Sequence, residues 1–389
     1  MASGSGRLLR NRSAAPLAAV TARSSSSLGS ATRSGWPTAT PDANRYRRIV
    51  PAPLTVDLRS DTMTRPTPAM RRAMAEAEVG DDGWGEDPTV RRLEEVFADR
   101  LGKAAGLFLP SGTMANQVAL RTLAGPGKMV VAGRRQHVVM SENGAAGMNG
   151  AFQLYTVDDD EGRLDLAATE DAVAGDVGHS PEVAVIAVEN THMVAGGRAT
   201  PAEALDAVAA LGPPVHLDGA RLFNAEVALG VPVARLAAAA TTVTCCLSKG
   251  LGAPVGSVLA GPTELMAEAR VQRRRLGGGM RQAGILAAAG LLALDTMVDR
   301  LADDHARARR LAEAVATSLP DAVDPARVQT NVVVFTHPDP GAVVAHLAGE
   351  GVLVAPLGRE AVRLVTHLDV EDGGIDRAVE VLSRLPTPH

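Results

Sequence analysis

The feature that most constrains this 389-residue chain is an alternation of short apolar, β-prone runs with stretches of helical periodicity. The candidate strands are residues 105–109, 129–132, 183–188, 214–218, 243–247 and 255–260, and the helices between them include 114–123, 201–211 and 263–276. Strands that are apolar throughout need cover on both faces, and helices that follow each strand supply it. The pattern predicts an α/β fold with a mostly parallel sheet flanked by helices. Ligands of such sheets lie outside the carboxyl ends of the strands.

Two of the apolar runs end in reactive side chains. Residues 214–218 finish on Asp218, followed by Gly219, Ala220 and Arg221; residues 243–247 lead into Ser248 and Lys249, with Gly250, Gly252, Pro254 and Gly256 close behind. Desolvation at a buried strand end favours the neutral amine of a lysine, a nucleophile able to form a Schiff base. A single Ser-Lys-Gly is otherwise only a loop with a solvated lysine. The upstream Asp218 changes the reading, because pyridoxal 5'-phosphate (PLP) requires an amine for its aldehyde and a carboxylate for its pyridinium nitrogen. Aromatic residues make up only 2 % of the chain, so a histidine is the natural group to stack on such a ring.

Other candidates lie on the same sheet edge. Gly112 and Thr113, in Pro110-Ser111-Gly112-Thr113, join a strand to a helix N-terminus, which suits a phosphate, although the same residues also make an ordinary cap. A P-loop lysine is missing, which argues against a nucleoside triphosphate. His137 and His192 each follow an apolar strand; His137 is a candidate for stacking and His192 for proton transfer. Arg221 lies close enough to Asp218 to share its cavity. Arg363, a charge within the apolar run 361–368, needs either a local acid or a substrate carboxylate. Arg281, after Gly277-Gly278-Gly279, could reach a phosphate. No Cys/His/Asp cluster has metal-ligand spacing and no Gly-x-Ser-x-Gly elbow occurs, so no metal is expected.

Composition and charge narrow the partners. A formal net charge of −5 gives no support for nucleic acid or an anionic membrane, and no apolar run approaches the ~20 residues of a membrane helix. The only two cysteines, Cys245 and Cys246, are adjacent, so the chain reads as cytoplasmic and reduced. Residues 1–50 read as a disordered or targeting-like extension. Up to position 45 it is basic and Ser-rich with no acid before Asp42, so an organellar location follows if it acts as a transit peptide. Residues 51–300 read as a large PLP-binding domain, opening with a helix from Pro66 and Pro68 to Ala77 and another behind the Asp87-Pro88 cap. Residues 301–389 read as a small α+β domain after a helical segment 282–319, with strands at 332–336, 352–355 and 361–368 and helices at 341–349 and 373–385.

From about residue 56 to 377 the chain resembles the low-specificity L-threonine aldolases, a family of fold-type-I PLP-dependent enzymes. The resemblance rests on ordered motifs: Asp57-Leu58-Arg59-Ser60-Asp61-Thr62, Gly85-Glu86-Asp87-Pro88-Thr89, Ser111-Gly112-Thr113-Met114-Ala115-Asn116, Glu189-Asn190-Thr191-His192, and residues 216–221, 248–256, 277–283 and 363–370. It implies that Lys249 carries the cofactor, that Asp218 holds the ring nitrogen protonated, and that His137 stacks on the ring. It places Gly112, Thr113 and a neighbouring subunit's Arg281 at the phosphate. Ser60, Arg221 and Arg363 would hold the carboxylate of an amino-acid substrate, and His192 would sit near its β-hydroxyl as base or organiser of a water. It also implies a homotetramer, a dimer of dimers with shared active sites.

Three positions depart from the family pattern: Trp84 stands for a tyrosine, Met193 for an asparagine after His192, and the tyrosine usual after His137 is missing. The reaction implied is retro-aldol cleavage of threonine, allo-threonine or a related β-hydroxy-α-amino acid to glycine and an aldehyde. The alternatives are another fold-type-I PLP lyase acting by β-elimination or hydroxymethyl transfer, and a PLP-binding homologue without turnover.

Overall fold

A computed structural model describes residues 55–175 and 178–385; the expected N-terminal extension lies outside the described residues. A two-residue strand, β1 (Val56–Asp57), precedes the main sheet, whose strands are β2 (Ala105–Leu109), β3 (Met129–Gly133), β4 (Gln153–Val157), β5 (Val183–Glu189), β6 (Val215–Asp218), β7 (Thr242–Cys246) and β8 (Ser257–Gly261). They lie in the order β2-β8-β7-β6-β5-β3-β4. Every neighbouring pair is parallel except the two that β8 makes, so β8 alone runs against the rest. The mostly parallel sheet expected from the alternation is present. Residues of β3, β6, β7 and β8 are buried throughout, as strands covered on both faces must be.

The helices form where the sequence signals them. Asp87 caps Pro88–Leu101 by accepting from the Val90 amide, with proline in the first turn, and Thr67 caps Pro68–Ala75 in the same way. The strand β4 and the helices Leu166–Ala174 and Leu222–Leu229 were not anticipated. β4 is an edge strand with Gln153, Tyr155 and Thr156 exposed, so it has no apolar run to betray it. The single helical segment expected over 282–319 is two helices, Gly284–Thr296 and Leu301–Ser318.

The C-terminal part carries β9 (Val332–Thr336), β10 (Val352–Leu353), β11 (Ala355–Leu357) and β12 (Ala361–Val365), with helices Pro340–Gly349 and Asp372–Leu382. The one strand expected at 352–355 is divided at the buried Val354: β11 joins an antiparallel sheet ordered β11-β12-β9, whereas β10 pairs in parallel with β1. The largest hydrophobic core packs helices against the main sheet, and a smaller, separate core is built from residues 308–385 together with Val56 and Leu58. Val56, in the first described strand, and Leu58 just after it thus pack with the C-terminal core. Among the described residues no helix is long and apolar enough to cross a membrane.

Helix Pro88–Leu101 lies hard against β2: a Cβ on Gly106 would fall 2.4 Å from the Glu94 carbonyl oxygen. That contact is with backbone, which cannot swing aside. Gly106→Ala is expected to destabilise the protein by about 1–3 kcal/mol, as overpacking does, read as a lowered urea midpoint at unchanged slope.

Candidate active site

The carboxyl ends of β2, β3, β5, β6 and β7 meet at one edge of the sheet, and each leads within four residues to a candidate side chain: Gly112, His137, His192, Asp218 and Lys249. Asp218 is the last residue of β6 and is 4 % exposed. Its Oδ1 accepts from the Ala220 amide at 3.1 Å and its Oδ2 from Asn116 Nδ2 at 2.7 Å. Asn116 also donates to Glu142 Oε1 at 2.9 Å, and Gln117 donates to Glu142 Oε2 at 2.6 Å. Glu142 in turn faces His137 Nδ1 at 2.9 Å. That bond raises the histidine's pKa against the opposing effect of burial, and the charge of Asp218 adds to the rise. His137, Glu142 and Asp218 place ligand-type atoms within 4.8 Å of one another, a cluster that sequence spacing does not reveal because Asp218 lies on a strand far along the chain from the other two. The Asn116 amide bridges its two carboxylates, so the cluster is organised by hydrogen bonds.

Lys249 lies three residues beyond β7. Its carbonyl accepts from Thr64 Oγ1 at 2.9 Å, and its charge helps to keep Asp61 ionised. Ser111 caps helix Gly112–Leu123 by accepting from the Met114 amide, so the first-turn amides of Gly112 and Thr113 have no intrahelical partner. A Cβ on Gly112 would meet Cys246 Sγ at 2.7 Å, so only glycine lets this helix start so close to β7.

Arg221 is 7 % exposed and holds Asp61 through two bonds of 2.7 Å, from Nε and Nη2. Burial alone would raise the Asp61 pKa; Arg221 first, then Lys249 and Asn331, overcome that and bring it down to about 2. With two nitrogens engaged, Arg221 has only Nη1 uncommitted. Arg363 is different. Its Nη1 donates to Met193 Sδ at 3.2 Å and its Nη2 to the Arg59 carbonyl at 3.0 Å, while its buried Nε has no partner. Burial first and the like charge of Arg221 second hold its pKa below the ordinary arginine value. Among the described residues this guanidinium has no ion-pair partner, and Asp61 acts on it only through space. Ser60 accepts from the amide and hydroxyl of Thr62, which leaves its own hydroxyl proton to donate.

His192 is fully buried. Its Nε2 lies 2.9 Å from Asp159 Oδ2, and its Nδ1 accepts from the Ala195 amide at 3.2 Å. Both ring nitrogens are therefore engaged, and the structure does not present either to the sheet edge as a free base. Arg281 sits apart, 72 % exposed and loosely paired with Asp81 at 3.4 Å. It lines a surface cleft of about 700 Å³ with Trp84, Arg274 and Met280. Sequence reasoning gave no role to Asn116, Glu142, Asp61, Asp159 or Glu189, although Asp61, Asn116 and Glu189 stand in motifs of the resemblance. The Glu189 carboxylate accepts from the amides of both His137 and Met193.

A buried strand-end carboxylate, an amine beyond the next strand, a capped helix N-terminus and an arginine without an anion are the donor set of a PLP enzyme acting on amino acids. The profile of the beta-eliminating lyase family matches residues 57–338. The chain is 43 % identical over 325 residues to low-specificity L-threonine aldolase 1 of Arabidopsis thaliana, covering 80 % of this chain and 91 % of that one. It is 39 % identical over 324 residues to the low specificity L-threonine aldolase of Escherichia coli K12, covering 81 % and 94 %. Among solved structures, the threonine aldolase of Leishmania major superposes with a TM-score of 0.74 at 21 % identity, covering 85 % of this chain and 99 % of that one, and shows the shared fold. The chain belongs to the low-specificity L-threonine aldolase family.

The Asp61–Arg221 pair should make stability fall in acid. Asp61 ionises at about 2 in the folded chain, below the ~3.9 of an unfolded aspartate, so its contribution is complete above that value and is lost as pH drops from about 4 towards 2. Asp61→Asn is expected to lose roughly 3–5 kcal/mol at neutral pH, as breaking a buried pair does, and to flatten the acid limb of a pH-dependent denaturation series.

Proposed function

We propose that this chain cleaves L-threonine, L-allo-threonine and related β-hydroxy-α-amino acids to glycine and an aldehyde, using PLP. The observation that carries the reading is Arg363: its buried Nε lacks a partner, and it lies within electrostatic reach of Asp61, which in turn feels Lys249. An α-carboxylate is the anion that such a site lacks.

The residues present fit the cofactor. Lys249 would hold its aldehyde, Asp218 its ring nitrogen, His137 its ring face, and Gly112 and Thr113 its phosphate, with Arg281 of a neighbouring subunit as a further phosphate ligand. The exposure of Arg281 and Trp84 on an open cleft supports that sharing between subunits, within a homotetramer built from dimers. When bound, PLP supplies an electron sink for the charge left at Cα as the Cα–Cβ bond breaks.

The protein's own groups do the rest. Arg363, Ser60 and the remaining Nη1 of Arg221 would fix the carboxylate, which sets the direction of the Cα–Cβ bond. The β-hydroxyl proton would pass to His137 Nε2, directly or across one water, because Nδ1 is taken by Glu142. As that proton leaves, the O–H electron pair becomes the second C–O bond of the aldehyde, the Cα–Cβ pair stays with Cα, and a proton returned to Cα completes glycine. His192, clamped by Asp159 and the Ala195 amide, would act as the organiser of the turn that carries Met193. The buried free thiols of Cys245 and Cys246 fit a reducing compartment such as the cytoplasm.

Three measurements test this reading. Purified enzyme given L-threonine should release acetaldehyde and glycine together; ammonia and a keto acid would instead indicate β-elimination. Lys249→Ala should lose the visible cofactor band and cleavage together, and undiminished steady-state cleavage would sink the assignment. Arg363→Ala should raise KM for L-threonine about 10- to 100-fold, the scale of one lost charge-assisted contact, with the cofactor band intact.

A further inference from the structure

Asn116 lies in the second turn of helix Gly112–Leu123, 2 % exposed, and all its polar contacts are internal. Its Nδ2 donates to Asp218 Oδ2 at 2.7 Å and to Glu142 Oε1 at 2.9 Å. Its Oδ1 accepts from Thr244 Oγ1 at 3.1 Å and faces His216 Nε2 at 3.2 Å. Burial brings the His216 pKa down to about 4, against the pull of Asp218, so the ring is neutral near pH 7. Its Nδ1 lies 2.9 Å from Thr242 Oγ1, and because Asn116 Oδ1 can only accept, Nε2 donates where the two bond. A flip of the amide would turn its oxygen onto two carboxylates, which only accept, so the contacts to Asp218 and Glu142 fix one orientation and Thr244 and His216 adapt to it.

From this geometry we infer that Asn116 is a positioning residue whose single amide locks Asp218 and the Glu142–His137 pair into one frame around the cofactor. The inference rests on the reading of Asp218 as the partner of the ring nitrogen. Without the bridging NH2 group, two carboxylates would face each other at close range. Asp218 would keep only the Ala220 amide, and Glu142 only Gln117 and His137. Like charges so placed relieve themselves by rotating apart or by one taking a proton. Either response alters what the ring nitrogen and the stacked histidine meet. The other titratable groups facing this frame are His216, Lys249 and Cys245.

The test compares wild-type holoenzyme with Asn116→Ala, Asn116→Asp and Thr244→Val. PLP affinity is measured by titrating the cofactor into each apoenzyme, and the visible band of each holoenzyme is followed against pH. Both Asn116 variants are expected to hold PLP about tenfold more weakly or worse, the scale of a lost buried donor or supporting partner. Their absorbance titrations should shift by about one pH unit, a moderate change in local charge. Thr244→Val removes one restraint on the amide oxygen and should move both readouts in the same direction by less. An Asn116→Ala holoenzyme with wild-type affinity and titration would overturn the inference, as would an Asn116→Asp enzyme indistinguishable from wild type. Should the Asn116 variants not fold, Thr244→Val decides: shifted values support the inference and unchanged ones reject it. A wild-type protein with no PLP-dependent band would reject the cofactor reading itself, whereas failure at Asn116 alone leaves that reading standing.

Discussion

The structure turns on a buried ion pair. Asp61 comes from the segment just after β1, Arg221 from the turn after β6, and Asn331, which donates to the same carboxylate at 3.2 Å, from the entrance to β9. Three stretches far apart in sequence are thus tied at one point between the main sheet and the C-terminal part. Neither charge could stay buried without the other, because desolvation of a lone ion exceeds what a single hydrogen bond returns. The pair leaves Arg221 with Nη1 alone uncommitted, whereas Arg363, repelled by it, has no ion-pair partner among the described residues.

Much of the fold was legible because apolar periodicity survives wherever an element is buried on both sides. The strands ending in Asp218 and Cys246 and the helix capped by Asp87 announced themselves through continuous apolar runs and cap residues. Where one face meets solvent, as in β4, the signal vanished. Val56 and Leu58 could not be placed either, since pairing with β10 is a long-range choice that no local pattern encodes. At the site, reactive residues following strands were readable one at a time. Their partners were not: Asn116 sits inside an ordinary helical stretch, and Asp159 lies in an acidic run that looks like a solvated loop, yet its side chain is fully buried against His192. Only the family resemblance suggested a role for Ser60, which its local surroundings would not have singled out.

The departures from the family pattern acquire physical content in the structure. Met193 is held by its amide to Glu189 and presents its sulfur to Arg363. A thioether is a weak acceptor, so it shields the guanidinium without competing strongly for it. Trp84 is 79 % exposed beside Arg281, a large apolar ring on an open cleft of this chain. The missing tyrosine after His137 leaves Val138 there, buried in a small cluster with Leu120 and Phe152 that seats the histidine's short helix.

The pairing of β1 with β10 has a consequence for how the chain reaches its native state. Val56 aligns with Val352, so the smaller core draws on both the earliest and the latest described segments. During synthesis the large sheet has all seven of its strands in hand once residue 261 has emerged. The segment carrying Val56 and Leu58 must then wait, its apolar side chains uncovered, until nearly the whole chain is available. Closing so long a loop is entropically demanding and slow. The ion pair at Asp61 follows directly after that segment. The Asp61 and Arg363 side of the site is therefore among the last parts of the molecule to be assembled, and a chain cut short before β10 would carry Asp218 and Lys249 without it.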